Sequence, residues 1–140
     1  MTPEQVQAKL AHLAEALAKL RGLPQSSLDE FRTDDRNLDA ALRRLQVAIQ
    51  VLIDVGSHVV AQLGLGTPSS SHDLLERLEH AGRLPTGSAA RFGKMFAFRN
   101  RVVHLYDRVD DTFVFEIVTG HLDELDELAM AYIDALGPSA

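Results

Sequence analysis

Arg99-Asn100-Arg101-Val102-Val103-His104-Leu105-Tyr106 sets two guanidinium groups, an amide, an imidazole and a phenol along eight consecutive positions. An imidazole that titrates near neutrality suits general acid or base work. A guanidinium is a planar fork that grips a phosphate and stabilises added negative charge on it. Asn100, about one helical turn before His104, can orient the imidazole or hold a phosphate oxygen. At about 100° per residue, Phe98, Val102, Leu105 and Val109 share one stripe with Met95 at its edge, and this stripe is predicted to face the core. Asn100 and His104 then point almost the opposite way, and Arg99 and Tyr106 share a flank with Val103 beside them. The expectation is a helix that turns its reactive groups away from its own core.

The elements that must position this helix are read from periodicity. Pro3 to about Arg21 is predicted as the first helix, since Val6, Leu10, Leu13, Leu17 and Leu20 make one stripe and Gly22 stops it. Leu23 to Ser27 is a linker, followed by a turn of helix at Leu28–Phe31 and a cap at Thr33 or Asp34. The long second helix runs from about Asp35 to Leu63 on a seam of Leu38, Leu42, Leu45, Ile49, Leu52, Gly56, Val59 and Leu63. Val47, Val51, Ile53, Val55 and Val60 widen its apolar girth, one side for its own bundle and a second that another copy of the chain can meet. Asp54 and His58, at i,i+4 on its polar line with Arg43 and Gln50, read as a helix-surface pair that can also border the site. Gly64 to Ser71 is a loop, and Ser70 with Asp73 resembles a capping box for a short helix, Asp73 to Ala81, closed by Gly82. The central helix starts near Thr86 or Ser88; Gly93 inside it costs about 1 kcal/mol relative to Ala and points to a close helix contact. A break falls around Asp107–Asp111, and a last helix continues to about Leu136 on Phe113, Ile117, Leu122, Leu125, Leu128 and Ile133. Phe113-Val114-Phe115 could pass for a strand, but a lone strand has nothing to pair with. The sum is a single all-α domain over residues 1–140, an up-and-down bundle of about five helices.

Composition narrows the chemistry. With 140 residues and no cysteine, the chain can bury a core without staples, and disulfides, thiolate metal sites and cysteine nucleophiles are excluded. His12, His72, His80 and His121 share no metal-ligand spacing, and no phosphate loop, nucleophile elbow or dinucleotide fingerprint is present. No metal and no cofactor are expected. Met1 to Gln5 lacks the basic start of a secretory signal, and the Val47–Leu63 stretch is broken by Gln50, Asp54, Ser57, His58 and Gln62, so a cytoplasmic protein without a membrane span is expected. The net charge of −6 is unevenly spread. Gly82 to Tyr106 holds Arg83, Arg91, Lys94, Arg99 and Arg101 and no acid, whereas Asp107 to Ala140 holds nine acids against Arg108 alone. Because screening limits charge effects to about 8–10 Å, an acidic protein can keep a local phosphate-binding surface at Arg91, Lys94 and Arg101; the same helix can also pair with the acidic C-terminal one.

Arg99, His104 and Tyr106 in R-x4-H-x-Y order, with Asn100 after the arginine, resemble the signature of HepT-like proteins of the HEPN superfamily. Leu45–Gln50 with Ile53-Asp54, the Gly66–Ser70 loop, and Val109-Asp110 followed by Val114–Ile117 are similar to that family's flanking segments, with Phe115 where a tyrosine is common. The resemblance implies a HEPN-like bundle that homodimerises through the long second and motif-bearing helices. It implies the toxin of a toxin–antitoxin pair, a metal-independent endoribonuclease with Arg99, Asn100 and His104 as catalytic residues. It also implies a minimal nucleotidyltransferase antitoxin that adds AMP units to Tyr106. Two other readings stand beside it: a non-catalytic HEPN module that binds nucleotide or RNA or serves as the transferase's substrate, and a structural helical dimer whose polar motif fills the subunit interface.

Overall fold

The computed structural model describes residues 1–104 and 111–137, with side chains to Arg99 and again from Asp111. Seven helices follow one another: α1 (Pro3–Arg21), α2 (Leu28–Arg32), α3 (Asp35–Gln62), α4 (Ser71–His80), α5 (Ser88–His104), α6 (Asp111–Gly120) and α7 (Leu122–Leu136). The starts of the first four are set by short polar side chains that accept otherwise orphaned backbone N–H groups. Thr2 and Gln5 form a reciprocal capping box ahead of α1, with Pro3 at its first turn. Ser27 accepts from the Glu30 N–H for α2, Asp34 from the Arg36 N–H for α3, and Ser70 from the Asp73 N–H for α4.

α3 is the axis, touching each of the other six helices. Its wide apolar girth follows from that position: on a 100° wheel the buried side chains run from Val51 through Ala48, Leu52 and Ile49 to Val60, about half of the helix circumference. The second apolar side expected from the sequence is largely covered by the chain's own helices, while Leu38, Leu42, Val47 and Ile53 stay half-buried. By length and composition alone α3 is apolar enough to cross a bilayer, yet half of that stretch is buried inside the bundle. Gly56, on its seam, faces Tyr132 of α7 so closely that an added Cβ would lie 2.5 Å from the tyrosine oxygen and 2.7 Å from a Leu74 methyl.

One expectation is met and one is corrected. The turn at Leu28–Phe31 is a five-residue helix of its own, anchored by buried Phe31 against Phe115, with ring centroids 5.5 Å apart. The single last helix is two, because α6 stops at Gly120 and α7 restarts after His121. Glycine is a poor helix former, and the Thr119 hydroxyl just before it bonds back to the Phe115 carbonyl at 2.8 Å. The Phe113–Phe115 segment is helical, and among the described residues no strand occurs.

Candidate functional site at helix α5

α5 is held from its N-terminus downward by α4. Gly87, just before the helix, has φ +94° and no side chain with which to cap it. The missing acceptor comes from the neighbouring helix: the Ala89 N–H donates to Glu79 Oε1 at 2.8 Å. This bond, together with the Gly87 N–H, holds the Glu79 carboxyl below the usual glutamate range. Ser88, buried, turns its hydroxyl to the Pro85 carbonyl at 2.6 Å. One turn further on, Gly93 makes room for His72 of α4; a Cβ there would meet the imidazole Nδ1 at 2.6 Å. The close contact inferred from that glycine is thus with a side chain. His72 in turn lies 2.8 Å from Glu76.

The buried side of α5 is wider than the motif-centred stripe. Phe92, Met95, Phe96 and Phe98 are all buried. On a 100° wheel they span an arc that includes the position of Arg99. Arg99 is accordingly half-buried with its Nε enclosed, which corrects the expectation that it turns away from the core. The cause is that α5 packs against both α3 and α4, so Phe92 and Phe96 extend the apolar arc past the arginine. Arg91 and Lys94 are exposed. Arg91 lies over the Phe92 ring, 4.7 Å from its centroid, and reaches Glu127 of α7 only loosely, at 3.9 Å. That one contact is the described part of the expected pairing between the basic and acidic helices. Asn100, Arg101 and His104 lie on the α5 backbone, their side chains outside the description, and Tyr106 lies outside the described residues.

The two ends that flank residues 105–110 are drawn together by side chains. Phe98 meets Phe113 of α6 at 4.9 Å between centroids. Arg32, the last residue of α2, forks onto Asp111 with Nε at 2.7 Å and Nη2 at 3.0 Å. This bond is the chief cause that lowers the Asp111 carboxyl. Neither Glu79 nor the Arg32–Asp111 pair was legible in the sequence: Arg32 and Asp111 lie 79 residues apart, and Thr86 and Ser88 beside Gly87 read as ordinary helix starts that need no cap from another helix.

Asp54 and His58 are not brought to the described part of α5. Asp54 accepts from Lys9 of α1 at 3.1 Å and from Gln50 at 2.7 Å. His58 lines a cavity of about 210 Å³ with Met1, Pro3, Val6 and Gln62, and burial holds it below the ordinary histidine value, helped by the nearby N-terminal charge. Both turn to α1, which makes no packing contact with α5 among the described residues. Among those residues, too, no three His, Asp or Glu side chains gather as a metal cluster.

Comparison with known proteins agrees with the architecture and narrows it. The chain is 28% identical over 98 residues to the mRNA nuclease HepT of Shewanella oneidensis, covering 70% of this chain and 74% of that one. It is 25% identical over 122 residues to the tRNA nuclease HepT of Aphanizomenon flos-aquae, covering 87% and 83%. Among solved structures, a tri-AMPylated Shewanella oneidensis HEPN toxin in complex with MNT antitoxin superposes with a TM-score of 0.85 at 22% identity, over 96% of this chain and 99% of that one. The Bacillus subtilis cytosolic protein YutE, of unknown function, superposes with a TM-score of 0.81 at 17% identity, over 97% and 91%. A family profile described as Ribonuclease HepT-like matches residues 13–132, and the chain therefore belongs to the ribonuclease HepT-like family.

Proposed function

We propose that this chain is the toxin of a two-component toxin–antitoxin pair, a single-domain endoribonuclease neutralised by AMPylation of Tyr106. The observation that carries the reading is the placement of Arg99 and residue 104 on one continuous helix, α5, in a chain whose relatives are named mRNA and tRNA nucleases. Half-burial suits Arg99 to its role, because a guanidinium held by packing is pre-oriented for a phosphate. In the same helical register, positions 101 and 104 fall on the arc of exposed Lys94 and Ala97.

The reaction needs no protein nucleophile. The RNA 2′-oxygen attacks the adjacent phosphorus, the P–O5′ bond breaks, and a 2′,3′-cyclic phosphate and a 5′-hydroxyl result. One proton leaves the 2′-hydroxyl and one is delivered to the departing 5′-oxygen. His104 moves a proton, a role worth roughly 10²–10⁴-fold. Arg99 stabilises the pentavalent phosphorane, and Asn100 orients the imidazole or a phosphate oxygen. A second chain across a homodimer supplies the other imidazole, and the half-buried Val47 and Ile53 on α3 are consistent with such a mate. Arg91, Lys94 and Arg101 carry the RNA backbone. The partner is a minimal nucleotidyltransferase, as in the MNT complex of the Shewanella toxin. Adenylate on Tyr106 adds charge and bulk beside the cationic helix and excludes RNA. These are reactions of the cytoplasm, where we place the protein.

Growth decides the matter. Expression of the wild type alone should stop growth, and Arg99→Ala and His104→Ala should restore it while remaining folded. Toxicity unchanged in both variants would remove the assigned chemistry. Co-expression with the nucleotidyltransferase should add adenylate masses to the wild type and none to Tyr106→Phe; equal labelling would reject Tyr106 as acceptor. A wild type that is harmless yet still labelled would favour the non-catalytic reading.

A further inference from the structure

The motif-bearing helix borrows its N-cap from another helix. α5 has no acid in its first turn, and Gly87 ahead of it cannot cap. α1 to α4 each carry their own capping side chain, so α5 differs from them in this respect. A carboxylate at a helix N-terminus satisfies orphan N–H groups and complements the macrodipole. A self-cap does this wherever the helix happens to lie, whereas a cap donated from outside also fixes where the helix starts. Glu79 Oε1 accepts from the Ala89 N–H at 2.8 Å, and the Gly87 N–H also faces this carboxyl, so the bond ties the axial position of α5 to α4. α4 is itself pinned: Arg77 bonds Asp73 on its own helix at 2.9 Å and reaches back to the Leu65 carbonyl at 2.8 Å. Gly93 leaves room for the His72 ring of α4 beside α5, and Glu79 sets the sliding register of the two helices. Arg99 lies eleven residues past Ser88, about 16 Å along a rigid helix.

We propose that Glu79 is a positioning residue for the α5 site, acting through the N-terminus of the helix to set the register in which Arg99 meets its phosphate. The inference rests on the ribonuclease reading, and its test separates the two. Full-length wild type, Glu79→Ala, Glu79→Gln and Glu79→Asp are compared with bulk tRNA and a synthetic messenger transcript as substrates. A small misplacement of a catalytic group lowers turnover more than binding, so Glu79→Ala should lose about tenfold or more in kcat with KM within about threefold. Glu79→Gln, which keeps a carbonyl acceptor at the same reach, should recover to within about threefold of the wild type. Glu79→Asp, one methylene short, should fall between them, and it decides the matter if Glu79→Ala does not fold. Amide hydrogen exchange supplies the readout that needs no activity: exchange from Gly87 along α5 to Arg99 should quicken in Glu79→Ala and not in Glu79→Gln, with α1 and α3 unchanged. Wild-type exchange in Glu79→Ala, wild-type kcat in Glu79→Asp, or a Glu79→Gln as impaired as Glu79→Ala would each overturn the proposal. A wild type that cleaves neither RNA defeats the ribonuclease reading alone, and the exchange data still decide whether Glu79 positions α5.

Discussion

Tyr132 is the bulkiest of the fully enclosed side chains, and its hydroxyl has no hydrogen-bond partner among the described residues. Burial pushes the phenol well above the usual tyrosine range, so it stays neutral. An enclosed hydroxyl without a partner forfeits about 1–3 kcal/mol of hydration. Tyr132→Phe should therefore leave stability unchanged or raise it by up to that amount in urea unfolding, and a clear loss would show that the oxygen is bonded after all. The glycine opposite makes the reverse prediction. Gly56→Ala must displace both Tyr132 and Leu74, which are packed on every side, and should cost about 1–3 kcal/mol. Gly93→Ala meets only the His72 ring, about half exposed and free to swing, while removing a helix glycine regains about 0.5–1 kcal/mol. The second substitution should be near neutral in the same measurement. Gly93 was legible in the sequence as a close approach, but whether it faced backbone or a movable ring was not.

At the scale of elements, α2 exists to hold α6: its buried Phe31 meets Phe115 and its Arg32 forks onto Asp111. Both partners of the fork are partly exposed, so solvent screens the pair and its net worth is about 0–1 kcal/mol. Asp111→Asn should cost no more than that at neutral pH. The Asp111 carboxyl is lowered in the folded chain, so its contribution is present above the ordinary aspartate value of 3.8 and is lost as pH falls through the folded value. Acid titration of stability should bring wild type and Asp111→Asn together below that point, and a gap that persists in strong acid would mean the arginine is held otherwise. The long amphipathic helices and two caps, Asp34 and Ser70, could be read from local spacing, with Pro3 at the first turn of α1. The break at Gly120 was missed because the apolar period runs through it. The arc of α5 was misplaced because a stripe drawn around the motif leaves out Phe92 and Phe96, whose burial depends on α3 and α4 arriving from two sides.

Across the whole molecule, charge is segregated. The segment from Gly82 to Tyr106 is acid-free, and the chain beyond it is strongly acidic. Part of that acid is absorbed internally, since Arg21 bridges Asp123 and Asp126 at 2.9 and 2.7 Å. Lys94 stands exposed on the acid-free segment. On the proposed ribonuclease reading, Lys94→Ala should weaken RNA binding similarly across sequences and reduce the slope of log affinity against log salt by about 1, as measured by filter binding over a salt series. An unchanged slope would move the RNA path off this face. The family was legible from the spacing of Arg99, His104 and Tyr106, whereas the contacts that place their helix lie in Glu79 and Arg32, which no local pattern marks.

The central place of α3 has a consequence for synthesis on the ribosome. Its partners α1 and α2 emerge before it, but α4 to α7 follow, and the final one is complete only at Leu136. When this 28-residue amphipathic rod has just been made, four of the six helices it packs against are still untranslated. A nascent or truncated chain ending before Leu122 should therefore be sticky and a ready client for chaperones, whereas the finished protein should melt in one step, because no helix can leave without uncovering the rod.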